Sequence, residues 1–256
     1  ESGETVFLMA RSPDGWFMPL PPLGPRPLEQ TVGEAFQKMR ECNGPSPVSR
    51  IENVMDSQLI ELKRMGLHRR HKEGDYVYSA EAVASLAGDR YKSQRALCNR
   101  VEREQTITLE PYHVRHGDDC RALLERWVRQ KESGLRDEVA SLMLEDAPAA
   151  HALAFSEHEN MGLLGTVAIA QGRVVAYTFG YWLTPQTWCV LLEVGDRSIP
   201  GSAQWLFRET CRVAAARGAV SINVMDDAGL QGLRAAKRAY YPASIIRSYV
   251  IAEANA

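Results

Sequence analysis

The stretch from Trp188 to Tyr241 leaves few folds open, because its hydrophobic spacing switches between strand and helix periods in a fixed order. Val190, Leu191, Leu192 and Val194 form an apolar run interrupted by Glu193, and a turn-rich series from Gly195 to Gly201 follows. Trp205, Leu206, Cys211, Val213 and Ala214 then recur near the helical period, with Arg208, Glu209 and Arg212 on the wet face. Gly218 stops that helix. Val220, Ile222 and Val224 alternate as a second strand, and a last helix from about Ala228 sets Leu230, Leu233 and Tyr240 on one side. This order predicts a β-α-β unit backed by a helix, which requires a sheet with helices on its faces.

The rest of the chain continues the alternation. Thr5 to Ala10 and Trp16 to Leu20 flank the turn Ser12-Pro13-Asp14-Gly15, and Pro21, Pro22, Pro25 and Pro27 then form a rigid connection. Thr31 to Arg40 reads as a helix with a Thr31/Glu34 capping box, ended by Asn43-Gly44-Pro45. A strand over Val48 to Val54, a helix from Ser57 to Met65 capped by Asp56, and an extended Asp75 to Ser79 come next. Ser79 caps a short helix ending at Gly88, and Tyr91 to Glu104 forms another. Ile107 to Val114 is a predicted strand, with helices over Asp118 to Gln130 and Arg136 to Glu145. A fresh helix starts at Asp146 and Pro148, and a hairpin joins Leu163–Ala170 to Arg173–Leu183 through Gln171-Gly172.

At 256 residues the chain can hold one large domain or two smaller ones. A net charge of −2 excludes the broad basic excess of a dedicated nucleic-acid binder, so any contact with a polyanion has to be local. Lys63 to Lys72 is such a local segment, with Arg64, His68, Arg69, Arg70 and His71 and no acid; it reads equally as a phosphate-binding patch or a solvated loop. Five scattered cysteines without C-x-x-C spacing fit a reducing compartment. No apolar run is long enough to span a membrane, and the chain, which starts at Glu1, shows no signal-peptide pattern.

Asn223, Asp227, Gly229, Gly232, Leu233, Arg234, Ala236, Lys237, Tyr240 and Pro242 stand in one block. The block resembles a motif of the C-terminal catalytic domain of bacterial phosphatidylglycerol lysyltransferases. Upstream, Gly88, Tyr91, Lys92, Arg95, Asn99 and Arg100 resemble that family's Lys/Arg/Asn helix. The family often has Arg and Glu directly after the Asn, where this chain has Val224 and Met225. The resemblance implies an α/β (α+β) fold of two GNAT-like halves, each a mixed central sheet flanked by helices, divided here at about 1–104 and 105–256. It implies transfer of an aminoacyl group from tRNA to a lipid hydroxyl.

Such a transfer needs a base for the attacking group and donors for the developing oxyanion. Glu193, in an apolar strand, has the setting that raises a carboxylate pKa, unless it faces solvent or pairs with an Arg. Asp227 serves catalysis or caps the last helix, and Asn223 binds substrate or satisfies turn backbone. Lys237 lies in the stripe of Leu230, Leu233 and Tyr240; it either snorkels, or clamps a phosphate or carbonyl with Arg234 while Tyr240 donates a proton. Lys92, Arg95 and Asn99 form a basic helix face that is either only the wet side of the helix or, as the resemblance implies, a contact for substrate or tRNA; Gly201 either serves an ordinary turn before the helix or opens a helix whose N–H groups suit an anion. The catalytic set is thus Glu193, Asp227, Lys237 and Tyr240, with no metal.

The resulting expectation is a cytoplasmic aminoacyl-tRNA-dependent acyltransferase acting by direct attack on a phosphatidylglycerol-like lipid or another small hydroxyl or amine acceptor. It uses aminoacyl-tRNA as co-substrate, no cofactor and no DNA, with peripheral contact to anionic lipid at the inner face of the membrane as a further option. An acetyl-CoA-dependent N-acyltransferase, suggested by Arg197, Gly201 and Ala203, and a non-catalytic binding module, suggested by Val224 and Met225, are the alternatives.

Overall fold

The computed structural model describes residues 4–44, 48–132 and 138–254, and the chain divides into two compact units: Glu1–Gly74 with Ile246–Ala256, and Asp75–Ile245. Pro45 and the start of the helix expected from Arg136 lie outside the described residues.

The first unit opens with a short hairpin of β1 (Ala10–Ser12) and β2 (Gly15–Phe17), around the turn expected there. Helix α1 (Leu28–Asn43) starts directly after Pro27, and no side chain caps it. Thr31, the expected cap, lies inside the helix and donates its hydroxyl back to the carbonyls of Pro27 and Leu28. Strand β3 (Arg50–Met55) and helix α2 (Asp56–Glu61) follow. Val32, Phe36, Met39, Ile51 and Val54 bury together with Met18 as this unit's core. Of the basic segment, Lys63 and Arg64 lie in a 3-10 turn, and His68 to Lys72 begin strand β4 (His68–Ser79), whose residues 68–71 are exposed on both faces. That double exposure is why no alternation marked it as a strand.

In the second unit, β4 ends at Ser79, whose Oγ accepts from the Ala82 N–H at 3.3 Å and caps α3 (Ala80–Ser85). Then come α4 (Lys92–Glu104), β5 (Ile107–Pro111), α5 (Gly117–Glu132) and α6 (Glu138–Glu157). Pro148 does not open a new helix but sits inside α6, where burial of Leu144, Ala154 and Phe155 offsets the loss of one backbone hydrogen bond. Strands β6 (Leu164–Ala170), β7 (Arg173–Thr184) and β8 (Thr187–Gly195), helix α7 (Ser202–Ala216), strand β9 (Ser221–Asn223), helix α8 (Gln231–Arg238) and strand β10 (Ser244–Ala252) complete the order. The last strand was not among those expected; its end returns to the first unit and pairs antiparallel with β3.

The second unit's strands lie in the order β4-β9-β8-β7-β6-β5, and among the described residues only β8 and β9 run parallel. Helices cover both faces: α3, α4 and α7 pack around Val83, Cys98, Leu206 and Cys211, and α5 and α6 around Leu123, Leu124 and Phe155. The boundary expected after residue 104 falls inside this unit, since α3 and α4 both pack on α7. Arg208 was expected on the wet face of α7 but is 3% exposed, because α4 brings Glu102 to pair with it, while Val213 is the exposed residue. The architecture is the mixed α/β sheet with flanking helices that was expected.

Candidate active site

Strand β8 carries one residue more than its partner. Leu192 faces Phe179 across the ladder and Val190 faces Gly180, so Leu191 has no counterpart and forms a bulge. The bulge resets the alternation. Trp188 and Val190 belong to the core under α7, Leu192 and Val194 to the opposite core, and Glu193 therefore shares the side of Trp188 and Val190. A parallel neighbour does not close this region, since β9 pairs with β8 only from Thr187 to Cys189. Beyond Cys189 the two strands part, and Glu193 stands in the part of β8 that has left β9.

Glu193 Oε2 is buried and has no hydrogen-bond partner among the described residues. Burial pushes the carboxyl up to about 8, with Lys237 pulling the other way. Its charge is felt by Tyr78, Cys211 and Tyr240, which line the same core. The Tyr240 hydroxyl is also buried without a partner, and burial holds its pKa far above the ordinary tyrosine range. Its ring is fixed edge-on by Phe207, with centroids 4.9 Å apart. A carboxylate and a hydroxyl left unsatisfied in one apolar core are costly, unless a bound group completes them.

The turn between β9 and α8 is tied down almost group by group. Asp227 is 1% exposed; its carboxylate accepts from Tyr76 Oη at 2.6 Å, Arg234 Nε at 2.9 Å and the Gly229 N–H at 3.0 Å. Burial alone would raise its pKa, but the bonds from Arg234, Tyr76 and Gly229 outweigh that and hold it low. Asn223 Oδ1 accepts from the Met225 N–H at 2.7 Å, while its amide donates to Asp75 at 2.9 Å. Lys237 donates to the carbonyls of Val224 at 2.6 Å, Met225 at 3.2 Å and Asp226. Burial lowers its pKa, opposed by Asp226, Asp227 and Asp75. Met225 and Ala228 sit at φ 60° and 50°, a left-handed backbone that non-glycine residues seldom adopt and that these bonds maintain. Asp227 is bound to Arg234 rather than capping α8, and this turn delays the helix start to Gln231.

The residues expected to act thus fall into three groups. Lys237 and Tyr240 each come within electrostatic reach of Glu193, and Asn223, Asp227 and Arg234 brace the turn between β9 and α8. On α4, Lys92 and Asn99 are exposed, and Arg95 donates to the carbonyls of Leu86 and, at 2.9 Å, Gly88. Gly201 has φ 99°, and a Cβ there would lie 2.6 Å from the Leu97 carbonyl oxygen, so α4 fills the space beside it. Tyr76, Tyr78 and Asp75 were not singled out from the sequence. Their partners lie roughly 150 residues away, as with Tyr76 and Asp227, and no local spacing signals such a pair. Among the described residues no group of three His, Cys, Asp or Glu side chains could hold a metal ion, and no helix is long and apolar enough to cross a membrane.

Residues 1–252 match the family model described as phosphatidylglycerol lysyltransferase, C-terminal. Among solved structures, a conserved protein of unknown function from Bacteroides thetaiotaomicron superposes with a TM-score of 0.76 at 21% identity, covering 93% of this chain and 79% of that one. The C-terminal domain assigned to a lysylphosphatidylglycerol synthetase of Agrobacterium fabrum gives 0.71 at 16% identity, with coverage of 99% and 82%. The structure of L-PGS from Bacillus licheniformis gives 0.70 at 15% identity, again with 99% and 82%. None of the curated proteins compared with the chain matches it. At these identities the structural likeness establishes the fold alone, and its α/β class, a mixed sheet flanked by helices, is the one expected.

Proposed function

The chain belongs to the phosphatidylglycerol lysyltransferase C-terminal family, and from that premise we propose that it transfers an aminoacyl group from aminoacyl-tRNA to a lipid hydroxyl or a comparable small acceptor. The observation that carries the reading is the pair of unsatisfied buried groups, Glu193 Oε2 and Tyr240 Oη, on one side of the β8–β9 split. In the proposed step the acceptor oxygen attacks the ester carbonyl carbon and gives its proton to Glu193. The carbon–oxygen bond to the tRNA ribose breaks, and the proton passes from Glu193 to the leaving ribose oxygen. A tyrosine with so high a pKa keeps its proton, so Tyr240 acts as a hydrogen-bond donor to the oxyanion rather than as the acid. Asp227, Arg234, Asn223 and Lys237 hold the turn against which the donor would lie.

Lys92 and Asn99 on the exposed side of α4 are proposed to meet tRNA, and the exposed basic residues His68 to His71 anionic lipid headgroups. The coenzyme A alternative relied on Gly201, and the Leu97 carbonyl packed against that glycine leaves it a structural reason of its own.

Incubation of the purified chain with charged tRNAs and phosphatidylglycerol should give acceptor-dependent deacylation and an aminoacylated lipid detectable by mass spectrometry. Glu193→Gln should lower the rate by roughly 10²–10⁴-fold. Absence of acceptor-dependent deacylation with every charged tRNA would overturn the reading.

A further inference from the structure

The Asp75–Ile245 unit has a cavity to which the proposed function assigns no role. It measures about 560 Å³ and is lined by, among others, Ser79, Arg90, Tyr91, Arg238, Tyr241 and Ile245. That volume suits a small organic ligand, for which roughly 300–1,000 Å³ is usual. Two cations reach it and its lining includes no carboxylate. The Arg90 guanidinium lies 4.8 Å from the ring centre of Tyr91 and 5.7 Å from that of Tyr241. Arg238 stands beside the Tyr76 hydroxyl.

The two rings play different parts. Tyr91 is buried, and its hydroxyl donates to the Tyr240 carbonyl at 3.2 Å. Tyr241 meets it edge-on at 5.6 Å and is 48% exposed. Its backbone is left-handed, with φ 52°. Glycine or asparagine would end a helix there with less strain, so a tyrosine in that position has its exposed ring fixed at a cost to the fold. Pro242 and Ile245 add apolar wall beside it.

We propose that this cavity binds a nucleotide, with the phosphate between Arg90 and Arg238 and the base stacked on Tyr241. Guanidinium groups present paired donors that match phosphate oxygens, and an exposed tyrosine ring accepts any base on its face. A free mononucleotide and the end of an RNA strand offer the same two features. The proposal does not depend on the transferase reading, and its test reads binding alone, so either can fail without the other.

Calorimetric titrations of the whole chain with adenosine 5′-monophosphate, adenosine, inorganic phosphate, an adenosine-ended RNA trinucleotide and phosphatidylglycerol vesicles test it. The mononucleotide should bind at least about tenfold more tightly than adenosine or phosphate, and Arg238→Gln should remove about that factor. Tyr241→Gly deletes the ring while relieving the backbone, and should weaken mononucleotide and adenosine binding but leave phosphate binding unchanged. Tyr241→Leu, which keeps bulk without a π face, should behave the same way. Tighter binding of the trinucleotide than of the mononucleotide assigns the source to RNA, and equal binding assigns it to a free nucleotide; both support the site. A mononucleotide bound no better than phosphate, wild-type affinity in both Tyr241 variants, or binding of vesicles alone overturns it.

Discussion

Glu193 is a carboxyl that folding keeps protonated near neutral pH, because burial pushes it up to about 8. The unfolded chain loses that proton in the ordinary carboxylate range, so this residue makes the fold less stable as pH rises toward 8. Glu193→Gln should therefore flatten the fall in melting temperature between about pH 5 and 8, read from paired thermal scans. If Glu193 is the base, kcat/KM should climb with pH toward an apparent pKa of about 8, and the Gln variant should lose that limb. Of this site, Glu193 was legible as an acid in an apolar run, and Tyr240 and Lys237 as part of the motif block. The side Glu193 faces was not, since it depends on the bulge at Leu191, and nothing in a run of apolar residues marks which one is extra. Tyr76 and Asp75 were silent for a related reason: a hydroxyl or carboxylate in a strand gains meaning only from a partner brought in by the fold.

At the scale of elements, the turn between β9 and α8 behaves as a single fastened piece. Lys237→Met keeps the stem and removes three hydrogen bonds to carbonyls; it should cost about 1–3 kcal/mol in urea unfolding. A change confined to ligand binding would contradict that role. Asp227 contributes through a depressed pKa, so its stabilisation holds above the ordinary carboxylate range and is lost as pH falls below it. The contact of α4 with α7 rests on Gly201. Gly201→Ala introduces both a left-handed non-glycine backbone and a Cβ 2.6 Å from the Leu97 carbonyl, and should destabilise by about 1–3 kcal/mol in the same assay. Elements with clear periodicity or turn chemistry were readable, as the β6–β7 hairpin around Gln171-Gly172 illustrates. Strand β10 and the basic start of β4 were not: both carry exposed side chains on successive residues, so tertiary pairing rather than patterning makes them strands.

For the molecule as a whole, two buried groups set opposing limbs of the stability profile. His151 hydrogen-bonds Tyr177 at 2.9 Å, and burial lowers its pKa to about 4. The unfolded chain takes up that proton first, so stability is lost as pH falls from about 6.5 to about 4. Glu193 acts the other way over an overlapping range, and above about pH 6.5 it acts without that opposition. Stability should fall on the acid side in a manner that His151→Gln reduces and Glu193→Gln leaves in place, a separation that melting scans from pH 4 to 9 can read. The return of β10 to β3 has a consequence for biosynthesis. The Glu1–Gly74 segment leaves the ribosome before the Asp75–Ile245 unit but lacks its closing strand until Ile246 and the residues after it are made. Its apolar core must wait while the whole of the Asp75–Ile245 unit is translated, roughly ten to thirty seconds at ordinary elongation rates. The second unit is contiguous and can fold as it emerges, so of the two units the one begun first is the last to be finished.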